Sequence, residues 1–116
     1  MIAQEIAERM LGIIQLMPIE YAAMEDTRLA WKQSELDAEQ EETKAYLKHK
    51  AEFNQTVETS RRAALEGTYH FRLEAVKKEA EYKKREHRVA VLRDELDIMR
   101  SLFAFERTKL ERGVEM

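Results

Sequence analysis

Along residues 71 to 110, positions 71, 75, 78, 82, 85, 89, 92, 96, 99, 103, 106 and 110 are spaced alternately by four and three. They read Phe, Ala, Lys, Tyr, Arg, Val, Leu, Leu, Met, Phe, Glu and Leu, and nine of the twelve are apolar. Only a helix returns to the same face at this interval, and a stripe sustained so far is a coiled-coil seam. The spacing predicts one helix over about 69–112. At about 1.5 Å per residue such a helix is roughly 65 Å long, too long to fold inside a compact globule of 116 residues. The remaining sequence must supply helices to lie beside it.

Composition agrees with an all-α chain. Charged residues make up 37% and the apolar set 44%, with three Gly and one Pro, so the many turns of a sheet protein are missing. Ile2, Ile6, Met10, Ile13 and Met17 form a helical face, and Pro18 predicts a break after it, because proline donates no amide and disfavours helical geometry in the residue before it. Helix one is therefore expected over about 2–16 and helix two over about 19–52. Asn54, Gln55 and Thr56 read as a polar turn, and Thr56 as the cap of a short helix over about 57–65. Gly67 is expected to end that helix and Thr68 to cap the next.

A second apolar row, Val91, Ile98, Leu102 and Phe105, widens the seam in the last third of helix three. That width calls for a third helix. The expected fold is a single domain, a long antiparallel helical hairpin, coiled-coil-like, with the short N-terminal helix completing a three-helix bundle at one end. In this register Leu47 lies beside Ala75, Leu36 near Glu86 and Leu29 near Arg93. From Glu20 to Glu42 there are eight acids against Arg28 and Lys32, whereas from Lys77 to Arg93 there are seven bases against three acids. The hairpin brings Glu35–Glu42 alongside Lys77–Arg88, where opposite charges select register more than they add stability.

Catalytic and metal chemistry find little support. There is no cysteine, and Gly12, Gly67 and Gly113 stand singly, so neither a thiolate site nor a phosphate-cradling loop is present. His49, His70 and His87 are preceded three residues earlier by Tyr46, Gly67 and Lys84, which excludes the Glu-x-x-His pattern of di-iron bundles. A His49–His70 approach is conceivable in the hairpin, with solvated or seam histidines the stronger reading. No cofactor, no metal and no enzyme activity are expected. No apolar stretch approaches the ~18 residues that span a bilayer, and the N-terminus lacks a signal-peptide pattern, so a cytoplasmic protein without membrane contact is expected.

Two sets of residues carry the functional expectations. Lys77, Lys78, Lys83, Lys84, Arg85 and Arg88, with Tyr82 as an aromatic platform, have the chemistry of a single-stranded nucleic-acid contact. The competing reading pairs those charges with Glu35–Glu42. Trp31, Leu92, Leu96, Met99, Leu102, Phe103 and Phe105 are packing or oligomer residues; Tyr21, Trp31, Phe103 and Phe105 are spaced for a core. An apolar face wider than the helices can cover predicts a homo-oligomer.

The layout also carries a resemblance. A helix opens with Ile19-Glu20-Tyr21-Ala22-Ala23-Met24 and Leu29-Ala30-Trp31. The return helix closes with Leu92-Arg93-Asp94-Glu95-Leu96-Asp97-Ile98-Met99-Arg100-Ser101-Leu102-Phe103-Ala104-Phe105-Glu106-Arg107. The chain resembles the small helical proteins of phage early replication and recombination genes, and in architecture it is similar to the UvsY-type recombination mediators. That resemblance implies a non-catalytic oligomer in the host cytoplasm that binds single-stranded DNA and a recombinase or single-strand-binding protein. A protein-only binder, such as an inhibitor of a defence nuclease or an assembly scaffold, is the alternative.

Overall fold

A computed structural model describes residues 2–53 and 56–113. Three helices hold all of them but Ile2, Thr56, Thr68, Arg112 and Gly113: α1 (Ala3–Phe53), α2 (Val57–Gly67) and α3 (Tyr69–Glu111), with α1 and α3 antiparallel and the short α2 between them in sequence. None is long and apolar enough to cross a membrane. The chain divides into two compact units. A terminal unit joins the residues up to Met24 with those from Lys84 onward, and a middle unit holds Glu25–Lys83.

The predicted break at Pro18 does not occur, and the separate N-terminal helix does not exist: α1 runs through the proline. An interior proline costs a helix about 3 kcal/mol, since it offers no N–H to the carbonyl four residues back, here Ile14, and its ring crowds that carbonyl. Packing outweighs this. Ile13 is buried with Leu92 and Leu96, and Met10, Leu16, Met17 and Met99 close around them. Each fully buried aliphatic side chain contributes about 1.5–3 kcal/mol, so a few such side chains exceed the cost of one proline. Beyond the proline, Glu20 is also buried against α3. A break at Met17 would lose contacts on one side of it or the other.

The face that α1 buries follows the same rule as α3. Ile6, Met10, Ile13, Met17, Glu20, Met24, Thr27, Trp31, Ser34, Ala38, Glu41 and Ala45 are all buried or half-buried, again at spacings of four and three. On α3, ten of the twelve seam positions are buried or half-buried, Arg85 and Leu110 being the exposed ones.

Because helix one is simply the start of α1, no third helix among the described residues covers the second apolar row. Val91, Ile98, Leu102 and Phe105 are exposed. The expected register also shifts. Arg93 donates to the Tyr21 hydroxyl at 2.7 Å, about two helical turns earlier on α1 than the expected Leu29. In the middle unit Trp31 meets Tyr82 and Glu42 meets Arg72, while Leu29, Leu36 and Leu47 are exposed and do not form the seam.

At the start of α2, Thr56 is the expected N-cap: it has extended backbone, and its hydroxyl accepts from the Thr59 N–H at 3.2 Å. Asn54 and Gln55 lie outside the described residues. The far end differs from expectation. Gly67 belongs to α2 without a positive φ, and Thr68 serves the helix behind it, since its hydroxyl and its backbone N–H both donate to the Ala64 carbonyl, at 2.6 and 3.1 Å. Phe71 N–H then donates to the Thr68 carbonyl at 3.0 Å, so α3 begins almost without a gap.

Candidate functional site

The basic stretch of α3 is not one uniform surface. In the terminal unit, Arg88 Nε lies 3.0 Å and Arg85 Nη1 3.5 Å from the two carboxylate oxygens of Glu20. Glu20 stands on the seam of α1, only 7% exposed. A carboxylate removed from water this far needs cationic partners, and two arginines spaced by three on α3 reach it together. Lys84 is exposed. In the middle unit, Lys78 is half-buried beside Glu74 and Glu81 of its own helix, at 3.9 and 4.0 Å. Tyr82 stacks on Trp31 with ring centroids 5.4 Å apart, and Lys32 Nζ lies 3.9 Å from the Trp31 centroid. Lys77 and Lys83 are exposed.

Four of the seven residues nominated for nucleic acid thus have partners inside the chain: Lys78, Tyr82, Arg85 and Arg88. Lys77, Lys83 and Lys84 are exposed, with no ion pair holding them among the described residues. The pairing of this stretch with Glu35–Glu42 is replaced by other partners. Arg85 and Arg88 take Glu20, Glu42 takes Arg72, and Glu35 and Glu41 pair with Lys32 and Lys44 along α1.

The packing set divides as well. Leu92 and Leu96 are buried, Met99 packs against them, and Phe103 and Trp31 are half-buried. Leu102 and Phe105 point outward, as does Tyr21, which leaves the expected core role to Phe103 and Trp31.

Further electrostatics belong to the terminal unit. Arg9 Nε donates to Glu95 Oε1 at 2.6 Å. That hydrogen bond, with the charge of the guanidinium, holds the Glu95 carboxyl below the usual carboxylate range and raises Arg9. The bond from Arg93 to Tyr21 raises the Arg93 guanidinium in the same way.

Among the described residues no cluster of three or more His, Asp or Glu is placed to hold a metal ion. His49 packs on Phe53 and His70 on Phe71. A concavity of about 310 Å³ in the middle unit is lined by Glu42, Thr43, Tyr46, Arg61 and Ala64, and Glu42 is paired with Arg72. Sequence reasoning missed Glu20 as a buried anchor. The signal was there: Glu20 continues the spacing of Ile6, Met10, Ile13 and Met17. No protein-family model, no curated protein and no solved structure matches this chain.

Proposed function

We propose that the chain is a non-catalytic helical accessory protein that works by docking proteins onto the sides of its helices. The observation that carries this reading is the row Val91, Ile98, Leu102 and Phe105, apolar and exposed beside a seam that is already filled. Contiguous exposed apolar surface of this kind marks protein contact far more often than contact with a polyanion. An assembly scaffold, or a binder that blocks another protein, fits such a surface.

A second reading is favoured by a different observation. Among the described residues, Lys77, Lys83 and Lys84 stand exposed and outside the internal ion pairs, which suits contact with single-stranded DNA in phage-type recombination or replication. Tyr82 is a weaker base platform than its sequence suggested, since Trp31 already stacks on it.

Fluorescence anisotropy with labelled oligo-dT separates the two. The docking reading predicts binding no tighter than the non-specific range, about 10⁻⁴–10⁻⁶ M at physiological salt. Much tighter binding that falls steeply with salt, and is weakened by Lys83→Gln with Lys84→Gln, would overturn it in favour of the DNA reading.

A further inference from the structure

The terminal unit has two unlike flanks. The 2.5 Å ion pair between Arg9 and Glu95 bridges α1 and α3 on one, and the bond between Tyr21 and Arg93 bridges them on the other. Helical spacing then assigns the neighbouring residues. On the Arg9–Glu95 flank stand Ile2, Ile19, Val91, Ile98, Leu102 and Phe105, contributed by both helices and between 39% and 65% exposed. The Tyr21–Arg93 flank carries Leu11 and Ile14 but also Asp97, Arg100 and Arg107.

We propose that the Arg9–Glu95 flank is where a second copy of this chain packs, two-fold, the α1–α3 pairs of the terminal units forming a four-helix bundle. This rests on the docking reading above and names its occupant.

Area and charge argue for a second copy. Six side chains offering on the order of 100 Å² each come to roughly 600 Å². This approaches the ~800 Å² per partner of a standard interface before the stems of the polar residues between them are counted. A two-fold contact sets a surface against itself, so a flank of one sign would repel its own copy. Here the charges cancel within the chain: Arg9 with Glu95, Arg88 with Glu20, and Lys109 with Glu106. The remaining exposed charges at these positions are Glu5, Lys84 and Arg112, and Glu5 and Lys84, of opposite sign, lie at opposite ends of the flank. A two-fold axis across the helices brings the Glu5 end of each copy to the Lys84 end of the other. An acidic or basic partner would find no complementary field on this flank.

Sedimentation velocity from micromolar to hundreds of micromolar protein tests the proposal. The wild-type chain is expected to dimerise, and Ile98→Glu or Phe105→Glu to weaken the dimer by more than about 30-fold, the effect of removing a central hot spot. Circular dichroism should show helicity unchanged, since both side chains are exposed in the monomer. Ile14→Glu, on the other flank, should leave the dimer intact. Because the sequence has no cysteine, Ile98→Cys gives a second readout that needs no disruptive change: a short bismaleimide should link two copies. A wild-type monomer at every concentration, or a dimer indifferent to both glutamate variants, overturns the proposal. Neither result touches the oligo-dT titration, which decides the docking reading by itself.

Discussion

The two units are built on one helical spacing but filled with different side chains. In the terminal unit the buried positions are Ile6, Ile13, Glu20, Val89, Leu92 and Leu96. In the middle unit they are Ala38, Ala64, Ala75, Ser60 and Thr68. Large aliphatic groups hold the first by removing apolar area from water. Small groups leave the second little such area, and the Trp31–Tyr82 stack, the Thr56 and Thr68 caps and the Glu42–Arg72 pair carry a larger share. The same periodicity therefore does not imply the same source of stability.

The largest effect should come from placing a charge in the large core. Leu96→Asp puts a carboxylate among Ile13, Leu92 and their neighbours and should cost about 3–5 kcal/mol in chemical denaturation. Leu36→Asp, at an exposed position of the middle unit, should stay within about 0.5 kcal/mol. Equal costs would erase the distinction between the units.

The middle unit should be sensitive to the reverse change. Ser60→Leu overfills a site where the small side chain is fully buried and should destabilise by about 1–3 kcal/mol. Thr56→Ala removes the α2 cap and should cost about 1 kcal/mol, with Thr56→Ser restoring most of it. In the terminal unit, Gly12→Ala should stabilise by up to about 1 kcal/mol, because nothing lies within 4 Å of the added Cβ and glycine is a poor helix former.

The smallest expected effect is that of pH on the Arg9–Glu95 pair. The folded-state pKa of Glu95 is depressed, so its contribution is present above the unfolded carboxylate value and is lost as pH falls through the folded one. Glu95→Gln should lower stability slightly near neutral pH, where that contribution is present, and leave it unchanged at acid pH, where the wild type has already lost it; the loss is small because the pair is largely solvent-exposed. An acid transition identical in the two proteins would count against the pair.

The sequence was most readable where one kind of residue filled the seam. From Phe71 to Leu110 the apolar spacing reported α3 almost to its ends, and Thr56 reported its cap. On α1 the seam turns polar at every seventh position after Ile13, through Glu20, Thr27, Ser34 and Glu41. With that ladder hidden, Pro18 looked like a boundary, although local propensity yields to packing on both sides of it. Leu29, Leu36 and Leu47 looked like seam residues because they are leucines, and the register moved with them. The charge partners failed for the same reason, since a shift of two turns gives each arginine a different carboxylate. What remained legible of the site was which residues could matter, but not whether a neighbour already held them.

Segment-resolved hydrogen exchange tests the contrast between the units most directly. Protection should be highest in the α1 stretch around Ile6–Met17, through Pro18, and in the α3 stretch around Val89–Met99, and distinctly lower across Glu25–Phe53. Equal protection along all of α1, or a fast-exchanging gap at Pro18, would contradict the account.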